Sequence, residues 1–328
     1  MNPRPIKEIV RQIGRLSARW LSKNYSYRQK ALKKLVTRSH FSRKQAEAIL
    51  DSIFSELTGK KILALLRLEF GNPLRLDGQV RGPDIILHIL PGNVPNPAIF
   101  SFVFGILVKS KNICKVSGRD GGFLDVYLAS LRGIDPRLAA GHRLLPPKSK
   151  ASLRRHYKKA GLVVAYGSDE TLARIQKDLP PAKPFIGHGH RVSLGFYTRA
   201  AMKKRNIRNL AGKAAHDIWM MDRRGCLSPS VIYVEKGGEV SPKSFSRMLK
   251  EPYLVRAFEK RESVFWSLSH LRGALSTVAL EAAPSERKRL AARLVKLGAN
   301  RICRAGQMQH PLLARRHDGR PNLADWVW

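Results

Sequence analysis

The rhythm of hydrophobic and polar positions changes near residue 80. Before it, apolar side chains recur at helical spacing: Ala46, Ile49, Leu50, Ile53, Phe54 and Leu57 follow Ser42, a residue suited to capping a helix start. Residues 1–76 are therefore expected to be helical. After it, short and nearly continuous apolar runs alternate with longer amphipathic ones. Residues 84–90 (DIILHIL) predict a buried strand, followed by Pro91, Gly92, Asn93 and an apolar helix to about Val108. Residues 112–116 (NICKV) predict a second strand, then Gly118, Gly121 and Gly122, then a helix over 123–131. Residues 143–159 carry seven Lys and Arg with no acid and are expected to be a basic connector. A third strand at 162–166 (LVVAY) ends at Gly167–Ser168, with a helix to Arg174.

The alternation resumes with strands at 192–196 and 231–235, helices at 207–221, 241–249 and 286–297, and a short strand at Ile302–Cys303. Short apolar strands, each followed by a helix, indicate an α/β fold whose parallel sheet is covered on both faces. Ligands of such sheets bind beyond the carboxyl ends of the strands, here 91–95, 115–118 and 167–171. Prolines at 180, 181 and 184 suggest a boundary near 186. The expected organisation is thus a basic helical segment 1–76, a first α/β domain 77–186 and a second domain 187–328.

Charge sharpens this picture. The 328 residues carry 61 Lys and Arg against 24 Asp and Glu, a net +37, while 43% hydrophobic content excludes a disordered chain. Through Lys61 the imbalance is already 15 against 4. Such a field attracts polyanions, whether nucleic acid, acidic membrane, phosphorylated cofactor or acidic protein. Three scattered cysteines make no disulfide framework, and the absence of C-x-x-C and H-E-x-x-H spacing argues against zinc. The first residues, MNPRPIKEIVRQIGR, lack the apolar core of a secretory signal, and residues 97–108 are too short to span a bilayer. A reducing cytoplasm is expected.

Three places carry candidate chemistry. Cys226 lies in RRGCLSP, where it is either a small buried hydrophobe or, beside two arginines on a glycine turn, a thiolate nucleophile. Asn93 follows Pro91-Gly92 and is either a turn former or an amide donor to an oxyanion. His188 and His190 in GHGHR form either a surface pair or an acid–base element. Neither G-x-G-x-x-G nor a P-loop occurs, so any dinucleotide must bind without that loop.

Taken together, HILPGNVPNPAIF, CKVSG, YGSDET, GHGHRVSLGF, DRRGCLSPSVIYVE and RIC-x2-GQMQ…HDGRPNLADWV resemble the LuxC-type acyl-CoA reductases, in order from about Leu68 to the end of the sequence. That family belongs to the aldehyde dehydrogenase superfamily, whose Rossmann-like domain binds NAD(P) without the glycine fingerprint. The resemblance implies that Cys226 accepts the acyl group and that Asn93 and the Cys226 backbone N–H hold the oxyanion. It implies that Lys115 contacts the cofactor ribose, although Val116 stands where many dehydrogenases have proline. Ser117, Gly167 and Ser168 fall in the cofactor-contacting turns. His190 falls near the dehydrogenase general base, where a glutamate is usual. Family members are longer, and the missing length falls between about Glu235 and Trp266.

The expected activity is reduction of a fatty acyl thioester, on CoA or an acidic acyl carrier protein, to the aldehyde with NADPH, or with NADH. An acyl-protein synthetase is a further expected partner, and self-association stays open. The alternative is a catalytically weakened relative that binds a carrier or synthetase. A nucleic-acid binder is the third reading, but the chain has no zinc-finger spacing or RNP signature, and no specific nucleic-acid partner is expected.

Overall fold

A computed structural model describes residues 4–39, 41–118, 122–146, 150–251 and 253–328. Gly121 and Lys148 lie outside the described residues. The chain divides into two compact units, Met1–Gly189 with Leu312–Trp328, and His190–Pro311.

The first unit opens with four helices, α1 (Ile6–Leu21), α2 (Ser26–Arg38), α3 (Arg43–Glu56) and α4 (Gly59–Phe70). Along α1, Ile6, Ile9, Val10, Ile13, Leu16 and Trp20 form one buried stripe, the spacing of an amphipathic helix. Ser42 does cap α3: its hydroxyl accepts the Gln45 N–H while the Gln45 side chain accepts the Ser42 N–H.

A mixed α/β segment follows: β1 (Ile85–Ile89), α5 (Asn96–Leu107), β2 (Lys111–Lys115), α6 (Phe123–Ile134), α7 (Pro136–Ala139), β3 (Arg143–Leu145), α8 (Lys150–Lys159), β4 (Leu162–Tyr166), α9 (Asp169–Asp178) and β5 (Phe185–His188). Its strands form one parallel sheet in the order β3-β2-β1-β4-β5. The basic stretch 143–159 is therefore not a connector, because it supplies the edge strand β3 and helix α8. A three-residue edge strand needs no apolar run, and its exposed Arg143 hid it from pattern reading.

The helical segment is part of this unit's core. Trp20 stacks on Phe54 at 4.5 Å and meets Phe123 edge-on at 5.7 Å, while its indole N–H donates to Ser130 Oγ at 2.9 Å. His88, the fourth residue of β1, is a polar side chain fully buried in this interior. Its ring nitrogens lie 2.8 Å from Ser101 Oγ and 3.0 Å from Asn112 Oδ1, and burial pulls its pKa down to about 4. A side chain at Gly105 would overlap the same Asn112 amide, so glycine lets α5 lie close over β2. Residues 312–328 return to this unit, where Glu69 accepts the backbone N–H groups of Asn322, Leu323 and Ala324 at 2.7–2.8 Å.

The second unit contains β6 (Val192–Tyr197), α10 (Ile207–Trp219), β7 (Pro229–Glu235), α11 (Pro242–Leu249), β8 (Val255–Phe258), α12 (Arg261–Ser269), β9 (Leu275–Glu281), α13 (Pro284–Lys296) and β10 (Arg301–Cys303). Its sheet is again all parallel, in the order β10-β9-β6-β7-β8. One apolar cluster holds Tyr197, Leu210, Ile232 and Phe245; another holds Leu194, Phe196, Phe265 and Leu280. Among the described residues no helix is long and apolar enough to cross a membrane.

Candidate functional site

The sequence-predicted residues of the first unit gather at one edge of its sheet. Asn93 is exposed in the loop after β1, Lys115 is the last residue of β2, Ser117 lies two residues on, and Gly167–Ser168 follow β4 directly. Because β2, β1 and β4 are adjacent and parallel, their carboxyl ends form a row, the place where such sheets receive ligands. Ser168 caps α9 by accepting the Thr171 N–H at 3.3 Å. Gly167 donates its own N–H to His188 O at 3.2 Å, so what it offers a ligand is close backbone approach. Asp169 and Glu170 occupy the first turn of α9, which weakens that helix end as an anion site.

Cys226 and His190 belong to the second unit. Both precede adjacent strands, His190 before β6 and Cys226 before β7, so they meet the amino end of that sheet. The Cys226 residue is exposed, whereas Cys114 and Cys303 are buried. The turn before it places Asp222 and Arg223 in the left-handed region, at φ 46° and 58°, a conformation that costs non-glycine residues energy and must be held from outside. Two side chains fix the residues that follow it. Buried Ser193 on β6 donates its hydroxyl to Cys226 O at 2.6 Å and accepts the Thr277 N–H at 3.1 Å. Gln309 donates to Ser228 Oγ at 2.9 Å and to Asp217 O at 2.8 Å.

Asp217 in turn fixes the segment carrying Gln309 by accepting the N–H groups of Gly306 and Met308, at 2.6 and 2.9 Å. Burial nevertheless pushes its carboxyl up to about 7. Neither Ser193 nor Gln309 stood out in the sequence, because strand register and a long-range contact bring them to the cysteine. Both arginines beside Cys226 also face carboxylates: Arg223 pairs with Glu251 and Arg224 with Asp222, each at 3.1 Å. The positive field expected from RRGC is thus partly offset.

The GHGHR histidines separate. His188 ends β5, buried, with Nδ1 2.8 Å from Asp318 Oδ2; it stacks on Tyr166 at 4.6 Å and on His317 at 4.2 Å. Ligand atoms of His188, His317 and Asp318 lie within 4.8 Å of one another. These contacts tie residues 317 and 318 to the end of β5. Spacing alone did not show that His188, and not His190, meets Asp318.

The family described as acyl-CoA reductase (LuxC) matches residues 1–256 and 252–328. The chain is 25% identical over 243 residues to a long-chain acyl-protein thioester reductase of Aliivibrio fischeri, an alignment covering 70% of this chain and 50% of that protein. It therefore spans about half the length of the curated relative it matches. Among solved structures, an oxidoreductase from Marinobacter aquaeolei superposes with TM-score 0.75 at 13% identity, over 100% of this chain and 86% of the other. An apo betaine aldehyde dehydrogenase from Staphylococcus aureus gives 0.69 at 13%, covering 100% and 83%. A 1-pyrroline-5-carboxylate dehydrogenase from Thermus with bound NAD gives 0.64 at 12%, covering 100% and 81%. The fold is aldehyde-dehydrogenase-like.

Proposed function

The chain belongs to the LuxC family of acyl-CoA reductases, and we propose that it reduces a long-chain acyl thioester to the aldehyde through an acyl group carried on Cys226. The observation that carries this reading is an exposed cysteine on a turn whose backbone is fixed by buried Ser193. A curated relative named for acyl-protein thioesters favours a protein-borne donor over free CoA.

In this reading the Cys226 thiolate attacks the thioester carbonyl, and the carrier thiol leaves with its proton restored. The Asn93 amide donates to the oxygen as negative charge develops; one such donor is worth about 10²–10³ in rate. A nicotinamide cofactor, NADPH by family resemblance, supplies the hydride when bound. Collapse then releases aldehyde and returns the cysteine as thiolate. The residues present fit a dinucleotide: Lys115, Ser117 and the Gly167–Ser168 turn share the carboxyl edge of three neighbouring strands, with a cation and close-approach backbone on the same edge. The domain roles follow, with the first unit binding cofactor and the second carrying the nucleophile. His190, beside the start of β6, is proposed to manage protons near that sulfur.

The decisive measurement is aldehyde formation from an acyl thioester and NADPH by wild type and Cys226→Ala, with mass spectrometry of protein treated with donor alone. The expected result is an acyl adduct on Cys226 and a variant without activity. Wild-type turnover by Cys226→Ala would remove the nucleophile assignment.

A further inference from the structure

The helix α2 has the sequence SYRQKALKKLVTR, with five basic residues and no acid. Its inner side is spent on packing: Arg28 is buried, donates to Trp20 O at 2.8 Å and pairs with Asp51 at 2.8 Å. Lys30, Lys33 and Arg38 are exposed, and among the described residues no ion pair engages them. With Tyr27, beneath the Lys30 ammonium at 5.3 Å, they line an open groove of about 470 Å³ between α2 and α6. One carboxylate, Asp125, lies in that groove, and it faces Lys34 at 3.5 Å.

The groove adjoins the candidate site of its own unit. Leu35 and Ser39, at the end of the same helix, share a crevice with Gly92, Asn93, Val94 and Pro95. Lys34 Nζ reaches Gly122 O, in the loop after β2, at 3.4 Å. The cationic stripe thus runs along a helix that touches two of the three loops at the carboxyl edge of the sheet.

We propose that this face of α2 is the docking surface for an acidic acyl-carrying protein, which would deliver its thioester beside Asn93. The proposal rests on the reductase reading and names the partner's landing site. Charge chemistry favours a protein surface over a polyphosphate. From Lys30 to Arg38 the stripe extends about 12 Å along the helix, mostly as flexible, strongly hydrated lysine point charges. Such spacing suits carboxylates distributed along a partner's helix, whereas a compact diphosphate is better held by arginine forks and backbone N–H groups.

The test compares two triple variants with the same charge change, Lys30/Lys33/Arg38→Glu on α2 and Lys288/Arg289/Lys296→Glu on the exposed side of α13. Affinity for an acidic acyl carrier protein bearing a long-chain acyl group is measured by calorimetry across a salt series. A neutral triple, Lys30/Lys33/Arg38→Gln, guards against misfolding, with circular dichroism and Tm as the check. The expected result is a loss of about tenfold or more for the α2 variants and about threefold or less for the α13 variant. Turnover of an uncharged acyl-N-acetylcysteamine should stay unchanged in both.

Equal losses in the two Glu triples would overturn the proposal, since net charge alone would then attract the carrier. Wild-type affinity in the α2 variants overturns it as well. So does an α2 defect confined to free acyl-CoA, which would make the groove a polyphosphate site. The binding readout does not depend on turnover. If no donor yields aldehyde while the α2-specific loss of carrier binding persists, the reductase reading falls and the docking surface stands.

Discussion

The two parallel sheets of this protein carry their candidate residues at opposite ends. In the first, Asn93, Lys115, Ser117 and Ser168 stand at the carboxyl edge, where the loops of any such sheet are free to take a ligand. In the second, Cys226 and His190 stand at the amino end of β7 and β6, where the architecture makes no ready-made site. The difference is in what holds the residues. Asn93 is exposed on the loop after β1, beside Leu35 and Ser39, whereas the Cys226 turn is tied down by hydrogen bonds from Ser193 to Cys226 O and from Gln309 to Ser228 Oγ. In the proposed reading the buried hydrogen bonds that fix the Cys226 turn couple its function to stability.

That contrast can be broken by substitution. Asn93→Ala should lower turnover by about 10²–10³ while leaving Tm within a degree or so, because the residue is exposed; single-turnover kinetics and calorimetry read the two effects. Acidification should strike the first sheet more than the second. Burial lowers the pKa of both His88 and His142 to about 4, from 6.5. The unfolded chain takes up protons as pH falls below 6.5, while the folded one keeps both rings neutral. Stability is therefore complete above about pH 6.5 and drains as pH falls towards 4, by at most on the order of 3 kcal/mol for each ring. Hydrogen exchange at neutral and acidic pH should show β1 and β2 losing protection first, and uniform loss across both sheets would contradict this.

Ser193→Ala should cost about 1–3 kcal/mol by leaving the buried Thr277 N–H without its acceptor. It should also slow Cys226 labelling by iodoacetamide and acyl-adduct formation together. A stability loss without slower labelling would separate fold from function at the amino end. The smallest effect is expected from Lys115→Met: a several-fold rise in KM for the nicotinamide cofactor, with kcat nearly unchanged.

Much of the architecture was legible. The helical spacing behind Ser42, the strands at 84–90, 112–116 and 162–166, and the alternation after 192 all correspond to observed elements. The strands that escaped did so for different physical reasons. β3 and β8 are edge strands, exposed and charged at Arg143 and Arg256. β9 lies inside its sheet but carries buried Ser276 and Thr277, which interrupt the apolar run. β5 is four residues ending in His188, and reading GHGHR as a single polar element hid it.

What the linear order of residues determined by itself was local: periodicity, caps, turns and the identity of the cysteine, asparagine and lysine that stand at strand ends. These follow from neighbours a few residues apart, whose geometry the backbone dictates. Only the tertiary structure decided that Ser193 reaches the Cys226 carbonyl, that Gln309 ties Ser228 to Asp217, and that His188 parts from His190 to join Asp318. Each of those contacts spans 33 to 130 residues. Strand register and the return of residues 312–328 to the first unit create them, and no local pattern encodes either.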